Sequence, residues 1–190
     1  VQGGTKVKEN LINILSNSLF FENSKPYIVH RIDKDTSGVL IIAKNREMAQ
    51  QLTSLFRIRK IHKTYLALSF GQIDKKKDTI DNNLIRYDGN KKILERAITH
   101  YEKLDTNKNY TLFKLKPITG RKHQIRKHLA DLKCPIMGDK KYFIKKNIKN
   151  NQLMLHAYEI KFIINNKKYT FKANLPDYFK NFLIKNNLKL

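Results

Sequence analysis

Apolar side chains recur along this chain with two different periods, and each period predicts its own kind of element. A four-residue spacing predicts an amphipathic helix over 6–20, and a second helix follows Asn45, a residue type suited to capping a helix. A third helix is predicted after Gly120, and a fourth is opened by Asn174 and Pro176. The apolar stripes consist of Val7, Leu11, Ile12, Leu15 and Leu19, then Met48, Leu52, Leu55 and Phe56, then Ile125, Leu129 and Leu132, and finally Tyr178, Phe179, Phe182 and Leu183.

A two-residue alternation predicts strands. In the strand predicted over 62–70, Leu66, Leu68 and Phe70 share a face that suits the core, so that Tyr65 points away from it. The other predicted strands cover 39–43, 93–104, 109–115, 153–164 and 167–173. The last two form a hairpin across a pair of asparagines, which tolerate the positive φ of such turns.

Two polar stretches interrupt these elements. Residues 71–92 are expected to be a loop that ends in a turn over 88–90, and the basic, Asn-rich residues 139–152 are expected to be an exposed loop. Helices separated by hairpins favour an α+β fold over alternating βαβ units. A length of 190 residues is sufficient for one domain with a real core.

The net charge limits the class of partner. With 39 Lys or Arg residues against 16 Asp or Glu residues, the formal charge is +23, although 41% of the residues are hydrophobic, as in a folded protein. Such an excess favours a polyanion, and nucleic acid is the commonest one. A biased genome composition and a membrane surface are the alternative explanations.

The remaining bulk features concern compartment and completeness. A single cysteine, Cys134, excludes an intrachain disulfide and fits a reducing compartment, so we expect a cytoplasmic protein. No apolar run approaches the roughly 20 residues of a membrane-spanning helix, and we expect no membrane association. Because the chain starts at Val1 without an initiator Met, we expect a trimmed or partial product.

The first candidate site is a turn in which an acid lies among cations. His30, Arg31 and Lys34 flank Asp33. Nearby positive charge favours the ionised form of a carboxylate, which can then act as a nucleophile or base without a metal. The alternative is a solvated turn in which Asp33 or Asp35 caps the residues that follow, and residue chemistry alone does not choose between the two acids.

The second candidate site is the helix predicted to begin at Gly120, whose first turn is rich in hydrogen-bond donors. These side chains belong to Arg121, Lys122, His123 and Gln124. Helix N-termini attract phosphate, and cations so close repel each other unless an anion compensates them. A solvated basic helix is the alternative. Since His123 and His128 lack thiolate or carboxylate neighbours, we expect no metal site.

The third candidate site couples a basic run over 57–63 to Tyr65. An extruded base needs a flat surface on which to stack, and a tyrosine ring provides one. The alternative is that Tyr65 is half-buried packing.

In this order, the three stretches resemble the RluA/RluC family of ribosomal-RNA pseudouridine synthases. The resemblance covers about residues 25–160, and the opening residues 1–8 are similar to the RluC branch. The matching pieces are 30–33 with 36–38 and 43–44, 63–68 with Gly71, 120–126 with 128–129, 135–136 with 138–139 and Tyr142, and 155–157.

The resemblance also implies roles for individual residues. Asp33 would be the catalytic aspartate, Tyr65 would stack on the flipped uracil and assist proton removal at its C5 carbon, and Arg126 would pair with Asp33. The residues implied in RNA binding are His30, Arg31, Arg121, Lys122, His123 and Gln124, of which Arg31 would help to fill the space that the flipped base leaves. No metal or cofactor is implied.

The resemblance implies a pseudouridine-synthase-like α+β fold over 1–190, with a mixed, mainly antiparallel sheet, flanking helices and a basic RNA-binding cleft. The implied activity is the isomerisation of specific uridines in RNA, with 23S rRNA or a ribosome assembly intermediate as the expected partner of a monomeric enzyme. The family's Lys-Pro-x-Gly strand and the N-terminal RNA-binding module of the RluC branch are expected to be missing. Ile32, Lys122 and Lys127 also depart from the family pattern. A tRNA-modifying enzyme and a non-enzymatic RNA-binding module are the alternatives.

Overall fold

A seven-stranded, mainly antiparallel sheet organises the fold. The computed structural model describes residues 10–21, 24–143 and 152–190. Its helices are α1 (Leu11–Ser16), α2 (Arg46–Arg57), α3 (Gln124–Asp131) and α4 (Asp177–Lys185), and Leu19–Phe21 form a 3₁₀ turn. Its strands are β1 (Tyr27–Ile28), β2 (Ser37–Gly38), β3 (Ile42–Ala43), β4 (His62–Phe70), β5 (Lys77–Asp88), β6 (Lys91–Thr106), β7 (Tyr110–Pro117), β8 (Leu155–Ile164) and β9 (Lys167–Lys172).

The strand order brings the segment around Asp33 to the edge of β8. The large sheet runs β2–β8–β4–β7–β6–β5, and β9 also pairs with β8. Every pair in it is antiparallel except β2 with β8, where Ser37 lies opposite His156 and Gly38 opposite Ala157. Since β4 occupies one edge of β8, β2 and β9 share the other. The strands β1 and β3 form a separate antiparallel ribbon.

Most of the predicted elements are confirmed. The Asn45 side chain accepts a hydrogen bond from the Met48 N–H (2.8 Å) at the start of α2, as its position predicts. The hairpin of β8 and β9 turns at Asn165 and Asn166, whose φ values are 50° and 60°. The helix predicted over 6–20 is shorter, because α1 starts after Asn10, which caps it, and its predicted part before residue 10 lies outside the described residues.

Two strand predictions need correction. The segment 71–92 contains β5, which pairs with β6 over twelve positions and turns at Gly89, near the predicted turn. Because β5 is an edge strand with most side chains exposed, it has no apolar alternation to reveal it. The apolar run over 39–43 is not one continuous strand, since only Ile42–Ala43 pair in the ribbon, and Val39 donates its N–H to the Ala157 carbonyl oxygen (2.8 Å).

Around α3, one expectation is wrong and another holds only for some of the described residues. The helix begins at Gln124 rather than Gly120, because His123 takes a left-handed φ of 55° and interrupts the helical path. The segment 139–152 is not an exposed loop throughout: Asp139 is 1% exposed, and residues 144–151 lie outside the described part of the chain.

The hydrophobic core has two clusters. The larger one joins β4, β7 and the start of β8 to α3 and α4, with Leu68, Phe113, Leu129 and Phe179 all fully buried. The smaller one packs α2 and the β1–β3 ribbon against the far half of β8. Both faces of β4 are covered, because Ala67 is as buried as Leu68. The predicted core face of Leu66 and Leu68 is confirmed, and the face that carries Tyr65 is covered as well.

Candidate active site

A cavity of about 460 Å³ lies between the loop over 30–41, which we call the Asp33 loop, the strand β4 and the segment that leads into α3. This volume falls within the range of small-ligand pockets. Asp33 is the one carboxylate in the described lining. The cationic lining residues are Arg31, Lys63, Arg121 and Lys122.

Asp33 faces two nitrogen-bearing side chains across the cavity. Its Oδ2 lies 3.8 Å from Nη1 of Arg126, and its Oδ1 lies 3.9 Å from Nε2 of His123. The Asp33 side chain is 26% exposed, so it remains accessible from the cavity, whereas the Arg126 side chain is only 10% exposed. A guanidinium at this distance attracts an anionic carboxylate.

A second carboxylate, from Asp139, fixes the position of Arg126. The guanidinium donates from Nε to Oδ2 (2.7 Å) and from Nη2 to Oδ1 (2.8 Å), the paired geometry that arginine favours with carboxylates. Oδ1 also accepts hydrogen bonds from the backbone N–H groups of Lys141 and Tyr142. Burial raises the pKa of Asp139, but the Arg126 guanidinium and these N–H groups outweigh burial and lower it. Nη1 is thereby left to face Asp33.

His123 is oriented from its other ring nitrogen. Its Nδ1 lies 2.9 Å from the Tyr142 hydroxyl, and the two rings meet edge to face. Burial lowers the pKa of His123, and the nearby Asp33 opposes that shift only in part. A neutral ring that accepts from Tyr142 at Nδ1 carries its proton on Nε2, which points toward the Asp33 carboxylate.

Tyr65 supplies an aromatic wall next to Asp33. The two residues line the same cavity. Burial, and secondarily the charge of Asp33, raises the pKa of Tyr65 to about 12. The phenol is therefore neutral at physiological pH, and its ring is available for stacking.

The Asp33 loop is held at two points. Where its two ends meet, Nε2 of His30 accepts a hydrogen bond from the Ile41 N–H (2.8 Å), and the His30 ring stacks on Phe56 at 4.6 Å between centroids. Burial, with a smaller effect of the Lys63 charge, lowers the pKa of His30 to about 4, which keeps this nitrogen free to accept.

The second point lies within the loop, where β2 is bonded to β8 and α4. The Ser37 hydroxyl lies 2.9 Å from Nδ1 of His156 and accepts a hydrogen bond from the Tyr178 hydroxyl (3.2 Å). Gly38 has a φ of 109°, and a Cβ there would overlap the Ala157 carbonyl oxygen, so glycine is required.

The other residues predicted to bind RNA also line the cavity, with different bonding. Arg121 forms an ion pair with Glu95 (3.2 Å) and donates to the Arg96 carbonyl oxygen. Gln124 is buried, and its amide makes four hydrogen bonds within the protein, which favours a supporting role. Arg31 and Lys122 are exposed.

The sequence left three residues of the site without a role. Asp139 holds Arg126, Tyr142 orients His123, and Lys63 lines the cavity. Asp139 is one of only two acids within the strongly basic segment 121–149, a signal that could have identified it, because a buried guanidinium needs a counter-charge.

The described part of the chain shows neither a metal-binding cluster nor a membrane-spanning helix. Within 10–21, 24–143 and 152–190, no group of three or more His, Cys, Asp or Glu side chains is placed to hold a metal ion. None of the helices in those ranges has the length and apolarity to cross a membrane.

Comparisons with known proteins agree with this architecture. Residues 1–131 match the family model described as RNA pseudouridylate synthase. Ribosomal large subunit pseudouridine synthase D of Borreliella burgdorferi is 37% identical over 171 residues, which are 86% of this chain and 52% of that protein. Ribosomal large subunit pseudouridine synthase C of Rickettsia prowazekii is 35% identical over 193 aligned residues, or 94% of this chain and 62% of that protein.

A solved structure shares the fold. The structure of human RNA pseudouridylate synthase domain containing 4 has a TM-score of 0.79 and 26% identity, and the match covers 95% of this chain and 82% of that one. The chain thus spans between about half and two thirds of the length of the two bacterial relatives. With its mixed, mainly antiparallel sheet and the match over residues 1–131, the chain belongs to the RNA pseudouridylate synthase family.

Proposed function

We propose that residues 1–190 form a catalytic domain that isomerises uridine to pseudouridine in RNA, with Asp33 as the catalytic carboxylate. The observation that carries this proposal is that Asp33 and Tyr65 line one cavity while Nη1 of Arg126 lies 3.8 Å from the Asp33 carboxylate, although the three residues are far apart in the sequence. Large-subunit ribosomal RNA is the proposed substrate, because the bacterial relatives are named for it. A monomer acting in the cytoplasm remains our expectation.

The reaction is an isomerisation and needs no net oxidant or reductant. The bond between N1 of uracil and C1′ of ribose breaks, a bond between C5 and C1′ forms, C5 loses a proton and N1 gains one. In this proposal Asp33 acts on the flipped nucleotide at the breaking bond, either as a nucleophile or by promoting cleavage. Arg126 holds the Asp33 carboxylate in place and stabilises its negative charge.

The proposed role of Tyr65 is chiefly to stack on the flipped uracil. Its pKa of about 12 makes the phenol a poor base in the resting cavity. A carboxylate is the stronger candidate to accept the C5 proton, and Asp33 is the one carboxylate in the described lining. This interpretation gives the hydroxyl of Tyr65 at most an assisting role.

The decisive experiment compares Asp33→Asn with Asp35→Asn. Asp33 lines the cavity, whereas Asp35 is an exposed acid in the same turn, which makes it a matched control. An in vitro transcript of large-subunit rRNA carrying tritium at C5 of uridine would report the reaction as released tritium. We expect Asp33→Asn to abolish release while RNA binding persists, and Asp35→Asn to remain active.

Retained turnover in Asp33→Asn would contradict the proposed role of that carboxylate. If the unsubstituted chain binds the transcript yet releases no tritium, a tRNA transcript should be tried next. Failure with both RNAs would leave the non-enzymatic RNA-binding module as the better interpretation. Carbodiimide mapping of rRNA and tRNA from cells with and without the protein would then identify any target uridine.

A further inference from the structure

Lys63 is a cation in the cavity to which the proposed chemistry gives no task. It lies on β4 two residues before Tyr65, and both side chains line the cavity. Its Nζ lies 3.9 Å from the point where a Cβ on Gly120 would stand. Gly120 is exposed. The ammonium group therefore lies between the aromatic wall and the solvent-facing edge of the cavity.

No described carboxylate compensates this ammonium group. The Asp33 carboxylate faces Arg126 and His123 instead. Glu159, which lies on β8 opposite Thr64, forms ion pairs with Lys161 and Lys172. Burial lowers the pKa of Lys63, in accordance with a cation that has lost water without gaining a partner. A largely buried charge without a counter-ion is costly, and such groups are concentrated at binding sites.

The position of the ammonium group indicates which part of the substrate it would meet. A flipped nucleotide sends its base into the cavity, while its backbone continues in both directions outside. Phosphate groups must therefore stay near the mouth, and the base lies deeper, against Tyr65. Because Gly120 has no side chain, the backbone of the RNA can approach Lys63 from the solvent side.

We propose that Lys63 binds a phosphate oxygen of the RNA backbone next to the nucleotide that enters the cavity. The proposal rests on the proposed function, because it takes RNA as the ligand. The proposal gives Lys63 a different role from Arg121, whose guanidinium already forms an ion pair with Glu95. Lys63 is thus a partly buried lining cation without a carboxylate partner among the described residues, whereas the unpaired Arg31 and Lys122 are exposed to solvent.

The test is a salt titration of RNA binding, made in the Asp33→Asn background so that no turnover occurs. The probe is a short, fluorescein-labelled oligouridine. We expect Lys63→Met to weaken binding about tenfold and to reduce the slope of log affinity against log salt by about 0.7, the value for one phosphate contact in a single strand. Lys63→Arg should largely restore both quantities.

Two controls isolate the site. Lys168→Met removes an exposed lysine on β9, outside the cavity lining, and should change affinity much less. An oligomer whose sugars are abasic retains the phosphates without the bases. If the contact is to phosphate, the difference in affinity between the protein that retains Lys63 and the Lys63→Met variant persists with this oligomer. Loss of the difference would assign Lys63 to the base and overturn the proposal.

The outcome is distinct from that of the proposed function, because binding is measured without isomerisation. An Lys63→Met protein with unchanged affinity and salt slope would overturn the phosphate contact, even if the unsubstituted enzyme is active. In the active background, a fall in kcat at unchanged KM and salt slope would do the same. Thermal melting serves as the folding check: we expect Lys63→Met to melt at a higher temperature, since it removes an uncompensated charge.

Discussion

The two walls of the cavity are built in different ways. On the α3 side, polar side chains are buried and bonded to protein on several sides, as Gln124 and the Arg126–Asp139 pair show. On the opposite side, Asp33 lies between β1 and β2, which have two residues each. The guanidinium therefore has its place whether or not Asp33 is present, whereas the carboxylate depends on the anchors of its loop.

The largest effect is expected from breaking the rigid wall at Asp139. Asp139→Ala leaves the Arg126 guanidinium buried without its partner and should lower the free energy of unfolding by about 3–5 kcal/mol. Asp33→Ala, the matched change on the loop wall, should cost less than about 1 kcal/mol, because Asp33 is partly exposed and its ion pairs are long. Urea denaturation measures both. Equal losses of unfolding free energy in the two variants would show that the two walls do not differ in how strongly their charged side chains are held.

The second prediction concerns the pH dependence of the loop anchor His30. Its pKa is about 4 in the folded protein and about 6.5 when unfolded, so that below pH 6.5 the unfolded chain binds a proton that the folded chain does not. The contribution of neutral His30 to the free energy of unfolding is therefore fully present above pH 6.5. It falls as the pH drops toward 4, by up to about 3 kcal/mol.

Replacing His30 by Gln tests this dependence, because the Gln carbonyl oxygen can still accept from the Ile41 N–H. Burial also lowers the pKa values of three other histidines, which are retained in the variant: His123, His128 and His156. Chemical denaturation at pH 7 and pH 4 should show a smaller loss of stability in His30→Gln. An identical pH dependence in both proteins would refute the assignment to His30.

The third prediction tests the attachment of the loop to the large sheet through β2. Gly38→Ala places a methyl group against the Ala157 carbonyl oxygen at a left-handed φ, so we expect a loss of about 1–3 kcal/mol or more, together with lower activity. Gly120→Ala is the control for stability, since its Cβ meets only the Lys63 Nζ at ordinary contact distance. Thermal melting and tritium release give the two readouts. A Gly38→Ala protein as stable as the control and as active as the unsubstituted protein would contradict the need for glycine.

The smallest effect is expected at Tyr178. Tyr178→Phe removes one hydrogen bond to the Ser37 hydroxyl and should cost about 0.5–1.5 kcal/mol. Tyr87→Phe, at an exposed position on β5, should change nothing measurable. A comparison of their urea midpoints decides the matter, and a Tyr178→Phe midpoint equal to that of Tyr87→Phe would show that this anchor is dispensable.

The sequence predicts well the elements whose stability comes from a regular apolar pattern or a local cap. Asn45 and the Asn165–Asn166 turn are local signals of this kind, and both are confirmed. It misses β5, because an exposed edge strand is fixed by its pairing with β6 and not by its own side chains. It also misplaces the start of α3, where the left-handed conformation of His123 depends on tertiary contacts such as that with Tyr142.

The candidate site was predictable only in part, because the sequence shows residue types but not which residues meet in the fold. The residue types mark Asp33 and Tyr65 as candidates, whereas the role of Arg126 and the grouping of the three residues are implied only by the resemblance to a known family. The partner of Arg126 is not visible in this way, because Asp139 lies in a segment that looks solvated in the sequence. Neither is the choice of Asp33 over Asp35, which requires knowing which of the two acids lines the cavity.

The parallel pairing of β2 with β8 also makes the distance from Asp33 to the sheet a fixed count of residues. Ser37 is locked opposite His156, so only 34–36 lie between the carboxylate and the first paired position. Inserting or deleting one residue there would either slide β2 out of register or withdraw Asp33 from Arg126. The length of this stretch is therefore constrained even at the exposed positions Lys34 and Asp35, whose side chains the structure leaves free to vary.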